Sequence, residues 1–155
     1  MTVDVQVGIV IDRPRQMVAD FAGDPSNATK WYANISSVDW ETAPPIRIGS
    51  RMAFVAHFLG KKIAYTYEIK ELIAGECLVM STIQGPFPME TTYRWESLDA
   101  GRTRMTLRNR GNPIGFTMIF KPIMSIAIRL ATKKDLRRLK AVMENPLTHT
   151  PKGPA

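Results

Sequence analysis

The chain is built mainly from short stretches in which apolar and polar residues alternate. In the first stretch, 2–11, valine or isoleucine occupies every odd position from 3 to 11. A period of two places such a set on one face of a β-strand. Six further stretches have the character of strands and are bounded by turn residues; they span 35–40, 50–59, 62–72, 77–83, 90–97 and 103–109. The pattern predicts seven strands, and the last five, joined by short turns, form an antiparallel meander.

Two segments between the first and second strands have helix-start chemistry. Residues 12–14 read Asp-Arg-Pro and residues 24–25 read Asp-Pro, so each pairs a capping residue with a proline suited to a first helical turn. The second segment ends near Trp31-Tyr32. We therefore expect two short helices between strands one and two.

The stretch 115–145 is the only one long and periodic enough to be a long helix. At about 100° per residue, its apolar residues gather on one side and its basic residues on the other. The apolar set is Met124, Ile128, Ala131, Leu136, Leu139, Val142 and Met143, and the basic set is Arg129, Lys133, Lys134, Arg137, Arg138 and Lys140. Asn145-Pro146 provides a stop. The part 118–128 is apolar almost all round, and we expect it to be enclosed on most sides.

Size and composition indicate one domain. The chain has 155 residues, of which 45% are hydrophobic, which suits a single core over 1–145; the tail 146–155, rich in Pro, Thr, Gly and Lys, is expected to be disordered. An apolar run of about 18 residues and a signal-peptide leader are both missing from the sequence, so we expect a cytoplasmic protein. The lone Cys77, in an apolar strand, predicts an inert buried thiol.

The formal charge of +7 comes largely from one segment. Residues 129–140 carry six basic side chains and the single acid Asp135. One interpretation is a docking surface for nucleic acid, an anionic membrane or an acidic partner, and the other is an ordinary solvated helix face. The absence of interleaved aromatic residues, on which bases would stack, favours the solvated face.

The order of the elements carries a family resemblance, supported by several local segments. These are Ile11-Asp12-Arg13-Pro14, Asp24-Pro25 to Trp31, Gly49-Ser50-Arg51, Gly85-Pro86-Phe87-Pro88, and Asp135 to Lys140. The chain resembles the START-domain and birch-pollen-allergen-like superfamily (SRPBCC), and more narrowly its bacterial polyketide cyclase/dehydrase branch. The resemblance implies an α+β helix-grip fold, in which a curved seven-stranded antiparallel sheet surrounds the long C-terminal helix and leaves a cavity. The superfamily includes carriers, cyclases and lipid-transfer domains, so the fold alone does not set the function.

If the sheet curves over the helix, one face of each strand lines the cavity with aromatic and methionine side chains and a few polar groups. The candidate ligand-binding residues are Phe54, Phe58, Tyr65, Tyr67, Thr91, Tyr93, Trp95, Met105, Leu107 and Asn109 on the strands, with Ile128 and Thr132 on the helix. Such a lining suits a hydrophobic ligand with a polar end. The alternative is that the same side chains fill a solid core.

Asp135 is the one candidate for acid/base chemistry, because it lies near the middle of the apolar side of the long helix. A carboxylate placed there needs a hydrogen-bonding partner or takes up a proton. Its other interpretations are a structural pair with Arg138 or a strand arginine, and an exposed position where the helix extends beyond the sheet. The sequence contains neither a metal-ligand set, nor a phosphate loop, nor a dinucleotide fingerprint, so we expect no metal and no cofactor.

Three functions remain open at this level. The residues favour a non-catalytic binding or carrier module for a small hydrophobic or amphipathic molecule. The second function is an enzyme of cyclase or dehydratase type, in which pocket shape folds the substrate and one group such as Asp135 moves the proton. The third is an interaction protein that docks through its basic surface to nucleic acid, anionic membrane or a partner. A monomer and a homodimer are both compatible with the sequence.

Overall fold

The strands of the structure, a computed structural model, coincide with the seven strand-like stretches of the sequence. The structure describes residues 3–112 and 121–145. The strands are β1 (Val3–Ile11), β2 (Ile35–Trp40), β3 (Arg51–Phe58), β4 (Lys61–Ile73), β5 (Cys77–Gln84), β6 (Met89–Asp99) and β7 (Arg102–Gly111). All neighbouring pairs are antiparallel, and the order across the sheet is β1-β7-β6-β5-β4-β3-β2. The first strand therefore pairs with the last one, and β1 and β2 form the two edges.

In the described residues, three helices and one short turn of 3-10 helix complete the fold. α1 (Arg15–Ala22), the 3-10 turn (Pro25–Asn27) and α2 (Ala28–Trp31) lie between β1 and β2, and α3 (Lys121–Glu144) follows β7. The Asp24 carboxylate accepts a hydrogen bond from the Ser26 backbone N–H at 2.9 Å and caps the 3-10 turn, as the Asp-Pro pair predicts. The α+β helix-grip fold is confirmed.

The sheet curls because its pairing is interrupted at several points. Register shifts occur between β2 and β3, twice between β4 and β5, and near the end of the β6–β7 pair. An extra residue on one strand of an antiparallel pair bends that strand and increases its twist. The concave face that results holds the inward side chains of the strands, and α3 lies in it.

The inner side of α3 is buried as the periodicity predicts, but its outer side is not enclosed. Met124, Leu136, Leu139 and Met143 are each no more than 1% exposed. By contrast, Ile123, Ile126 and Leu130 lie on the opposite side and are largely exposed. The expectation that 118–128 is enclosed on most sides is therefore wrong for the described residues of that segment, because the sheet covers only one side of the helix.

Two of the basic residues of α3 are used to cover the edge of the sheet. Arg129 Nη1 donates to the Gln6 carbonyl oxygen of β1 at 3.2 Å, and Lys140 Nζ donates to the Val10 carbonyl oxygen at 2.8 Å. Lys140 also pairs with Glu144. The basic side of the helix thus divides into residues that hold β1 and residues that face water.

The predicted helix segment 115–120 and the predicted disordered tail 146–155 lie outside the described residues. Within the described part, Cys77 is buried and His57 is exposed. Among the helices of residues 3–112 and 121–145, none has the length and apolar character needed to cross a membrane.

Candidate ligand-binding cavity

A cavity of about 170 Å³ lies between the concave face of the sheet, the segment around α2 and the inner side of α3. Most of the predicted ligand-binding residues line it. They are Phe54, Phe58, Tyr65, Tyr67, Thr91, Tyr93, Asn109, Ile128 and Thr132, and Asp135 joins them. The inward parity of β3, β4, β6 and β7 places the strand residues of this set on the sheet wall, as the alternation predicts, and α3 supplies the others.

Three predicted residues do not line this cavity, although all three point to the concave side. Met105 and Leu107 are 0% exposed and belong to the packed core. Trp95 lies against α1, where a methyl group added to Gly23 would come within 3.3 Å of Trp95 Cη2. Strand parity gives the direction of a side chain but not what covers it, and here α1 and the C-terminal half of α3 cover this end of β6 and β7.

Trp95 instead borders a second hollow, of about 620 Å³, between α1, the 3-10 turn and the loop after β2. Several of the polar groups there are already paired with one another. Trp40 Nε1 donates to Ser26 Oγ at 2.9 Å, and Asp20 accepts from Gln16 at 2.6 Å. The Trp95 indole N–H has no acceptor among residues 3–112 and 121–145, but it is shielded from solvent. This hollow therefore offers little for recognition of a ligand, and the smaller cavity is the candidate site.

A chain of side-chain hydrogen bonds crosses the wall of the cavity from β4 to α3. Thr91 Oγ1 donates to Asn109 Oδ1 at 2.8 Å, so Tyr67 must donate its hydroxyl proton to Thr91, at 2.7 Å. Asn109 Nδ2 reaches Thr132 Oγ1 at 3.3 Å, and Thr132 donates to the Ile128 carbonyl at 2.7 Å. These polar groups satisfy one another and fix the helix against the sheet, so they are less available to a ligand.

Tyr32, which the sequence pattern did not single out, is part of the site. It follows α2, and its hydroxyl shares a short hydrogen bond with the hydroxyl of Tyr93. Its ring packs on Trp31 with the centroids 4.0 Å apart. Alternation assigns faces only within strands, so it could not place a residue in a connecting segment; the Trp-Tyr pair at the end of the predicted second helix was the only hint.

Asp135 is buried at the inner wall of the cavity, where it is 4% exposed. Its Oδ1 accepts a hydrogen bond from the Ala33 backbone N–H at 2.9 Å. Burial raises the pKa of Asp135 to about 6, although this hydrogen bond opposes the shift. No close ion pair joins Asp135 to Arg138, whose Nη2 approaches the Lys30 carbonyl at 3.5 Å, but the charge of Arg138 acts to lower the pKa of Asp135. Within residues 3–112 and 121–145, Oδ2 makes no hydrogen bond.

Three phenol groups share the neighbourhood of Asp135. Burial raises the pKa of Tyr32, Tyr65 and Tyr93 well above that of an ordinary tyrosine, and the negative charge of Asp135 adds to each shift. All three therefore keep their protons at neutral pH. The Tyr65 hydroxyl makes no hydrogen bond with any described residue, while its ring stacks on Phe54 with the centroids 5.5 Å apart. The site thus combines an apolar wall with polar groups that make no hydrogen bond to another described residue, among them Tyr65 OH and Asp135 Oδ2.

The described residues contain no group of three or more His, Cys, Asp or Glu side chains that could hold a metal ion. The described residues that line the cavity offer apolar contact, hydrogen bonding by phenols, the polar side chains of Asn34 and Arg110, and a carboxyl group with a pKa of about 6. Proton transfer at Asp135 is the reaction chemistry that these groups can support.

Comparisons with known proteins agree with this fold. Residues 2–144 match a family model described as polyketide cyclase / dehydrase and lipid transport. A search of curated proteins found no match.

Similar solved structures share the fold at low sequence identity. They include the Zhui aromatase/cyclase from Streptomyces sp. R1128, with a TM-score of 0.77 and 13% identity over 95% of this chain and 96% of that one. A START superfamily protein from Mycobacterium smegmatis has a TM-score of 0.79 and 11% identity over 91% and 97%. The major latex-like protein 151 from Panax ginseng has a TM-score of 0.75 and 12% identity over 93% and 99%.

Proposed function

The chain belongs to the polyketide cyclase / dehydrase and lipid transport family, and from this premise we propose that it binds a small hydrophobic or amphipathic molecule in the cavity between the sheet and α3. The observation that carries the proposal is the contrast within the cavity. Its wall is largely aromatic and aliphatic, while Tyr65 OH and Asp135 Oδ2 make no hydrogen bond to another described residue. A pocket with a few convergent polar groups on an apolar lining is typical of ligand sites.

The size of the cavity limits the ligand. A cavity of about 150 Å³ lined by aliphatic and aromatic side chains holds one benzene molecule in a well-studied case. At about 170 Å³, the present cavity takes a molecule, or the end of a molecule, of about one ring without rearrangement. Removal of about 100 Å² of its apolar surface from water would contribute about 2.5 kcal/mol to binding.

The polar end of the ligand lies toward Tyr65 and Asp135. The Tyr65 hydroxyl donates a hydrogen bond to a carbonyl or hydroxyl oxygen of the ligand, and Asp135 Oδ2 accepts one from a hydroxyl group. Because both groups lie in a largely apolar wall, a ligand without a polar group would leave them unsatisfied, which costs about 1–3 kcal/mol per group. Phenols and short hydroxy-ketones meet this requirement, and simple hydrocarbons do not.

Competition binding tests the proposal. A graded set of phenols, naphthols, flavonoids and fatty acids is screened by displacement of a fluorescent ligand and by native mass spectrometry. Ala131 lines the cavity and Ala141 is exposed on the same helix. We expect Ala131→Phe to abolish binding by filling the cavity and Ala141→Phe, its matched control, to retain it. Tyr65→Phe should weaken the binding of phenols about tenfold, because it removes one hydrogen bond to the ligand. Absence of saturable binding across the whole set would refute the proposal.

A cyclase or dehydratase is the second candidate, favoured by the pKa of Asp135 at about 6. An ideal general base or acid titrates near the working pH. The Asp135 carboxylate would take a proton from the carbon between two carbonyl groups, and the electron pair would move to an oxygen that accepts a hydrogen bond from Tyr65. A similar fold occurs in an aromatase/cyclase. This candidate predicts that Asp135→Asn abolishes turnover and keeps affinity, and that the rate rises as pH increases through about 6.

A further inference from the structure

The outward side of α3 carries an apolar patch that continues into a basic one. Ile123, Ile126 and Leu130 are 56%, 59% and 62% exposed, and they recur at helical spacing. Lys133, Lys134 and Arg137 follow on the same side of the next turns and are also exposed. We call these six residues the outer stripe. From Ile123 to Arg137 it extends about 21 Å along the helix axis.

The positive charge of the outer stripe is not neutralised by neighbouring acids. Within the described part of the chain, the side chains of Lys133, Lys134 and Arg137 make neither a hydrogen bond nor an ion pair, and only Lys134 acts at longer range, on the buried Asp135. The acids of α3 lie elsewhere, since Asp135 is buried on the cavity side and Glu144 pairs with Lys140. Aliphatic side chains and unpaired cations are therefore exposed side by side, on a chain whose formal charge is +7.

We propose that the outer stripe docks α3 in the plane of an anionic lipid bilayer. The three aliphatic side chains enter the boundary between headgroups and acyl chains, and the three cations lie among the anionic headgroups. A few aliphatic side chains alone insert weakly, and a few cations alone are attracted weakly. Together, the apolar and the electrostatic contributions to membrane binding add to each other. The helix lies on the bilayer and does not cross it.

The chemistry of the stripe favours a bilayer over two other occupants. Nucleic acid would pair with the cations but offers no apolar partner for Ile123, Ile126 and Leu130, and the stripe has no aromatic residue for stacking. A second copy of the chain would bring two sets of unpaired cations together on molecules that are already positive. An anionic bilayer satisfies both halves of the stripe.

Docking would also bring the cavity close to the membrane. Met124 and Ile128, on the opposite side of the same turns of α3, line the cavity. The helix is then the wall that separates the cavity from the lipid. The proposal does not depend on cavity occupancy, and its test uses empty protein, so its failure and the failure of ligand binding are separate results.

Vesicle flotation tests the proposal with the full chain. Vesicles of phosphatidylcholine, with and without phosphatidylglycerol, are mixed with the protein at about 0.15 M salt and again at 1 M, which shortens the screening length from about 8 Å to about 3 Å. The aliphatic variant combines Ile123→Ser, Ile126→Ser and Leu130→Ser, and its control combines Ile48→Ser with Ile73→Ser, two exposed aliphatic residues outside α3. The charge variant combines Lys133→Glu, Lys134→Glu and Arg137→Glu, with Arg47→Glu, Arg94→Glu and Arg104→Glu as its control.

We expect the wild type and both controls to bind only the anionic vesicles, and both stripe variants to lose at least about tenfold in affinity. A polarity-sensitive dye on Ile126→Cys should shift to the blue on binding, while the same dye on Ile48→Cys should not; Cys77 is buried and does not compete for the label. Equal binding by the stripe variants overturns the proposal. A wild-type dimer that the serine variant dissociates, or oligonucleotide binding that the serine variant keeps in the absence of vesicle binding, overturns it as well.

Discussion

At the scale of single residues, burial of polar groups defines the site. The helical period placed Asp135 on the buried side of the long helix, and the structure agrees. Its partner, the Ala33 backbone N–H, could not be predicted, because it belongs to a connecting segment whose position depends on tertiary packing. Tyr32 escaped prediction for the same reason. Periodicity thus identifies the polar residue on an apolar face, but only the folded structure shows which group forms its hydrogen bond.

Asp135 makes stability depend on pH in an unusual direction. Its pKa in the folded state, about 6, lies above the ordinary value of 3.8. Between these values the folded state keeps a proton that the unfolded state has lost, so the free energy of unfolding falls as pH rises through this window. Through Asp135 alone, the free energy of unfolding should be about 3 kcal/mol lower well above pH 6 than below pH 3.8. We expect Asp135→Asn to gain stability relative to wild type, by up to this amount, as pH rises from 4 to 7.

Urea unfolding of both proteins at a series of pH values measures that difference directly. Comparison with wild type removes the contribution of Asp4, Glu68, Asp99 and Glu144, whose ion pairs lower their pKa values and act in the opposite direction. Asp39→Asn, on an exposed position of β2, controls for the loss of one carboxyl group. A wild-type-minus-variant difference that stays constant across the range would contradict the expectation.

At the scale of elements, alternation and turn residues were sufficient to place the strands, because the period of two persists through each of them. They were not sufficient to decide whether Trp95, Met105 and Leu107 line the cavity. These residues have the correct parity, but helices pack over them and separate them from the cavity. The outer side of α3 also differed from prediction: an apolar sequence indicates where burial is favourable, but the sheet covers only one side of the helix.

The turn of the β3–β4 hairpin contains a residue whose substitution should stabilise the protein. Leu59 and Gly60 have φ angles of 50° and 76°, so the two connecting residues both have left-handed backbone. A two-residue turn of this kind prefers Asn-Gly, and a leucine there is strained. We expect Leu59→Asn to raise the free energy of unfolding by about 0.5–1 kcal/mol, because Asn tolerates positive φ. Leu59→Ala, which keeps the strain, should show no gain in urea unfolding; equal stability of the two variants would count against this explanation.

At the scale of the whole molecule, the resemblance and the order of the elements predicted the helix-grip fold, and the structure confirms it. Whether the concave side held a cavity or a solid core was open, because that outcome depends on the summed volumes of side chains from seven strands and two helical regions. A residual volume of about 170 Å³ is small compared with the core around it, so a few side chains decide it.

A ligand in the cavity should stabilise the whole domain. Binding to the folded state alone, at a free concentration of a hundred times its dissociation constant, raises the free energy of unfolding by about 2.7 kcal/mol. For a chain of this size, the midpoint of thermal unfolding should then rise by about 5–10 °C. Differential scanning fluorimetry measures the shift, and Ala131→Phe should show none. An equal shift in that variant would mean that the compound binds elsewhere.

The cover that α3 provides for β1 has a consequence for handling and storage. An exposed edge strand can pair with strands of other molecules, and such pairing is a common first step of fibril formation. Here Arg129 and Lys140 donate hydrogen bonds to the Gln6 and Val10 carbonyl oxygens, which could otherwise accept hydrogen bonds from a strand of another molecule. The opposite border, β2, has only six residues. Heated samples should therefore remain free of fibrils until the helix detaches, and neutralising Arg129 and Lys140 should bring fibril formation to lower temperatures.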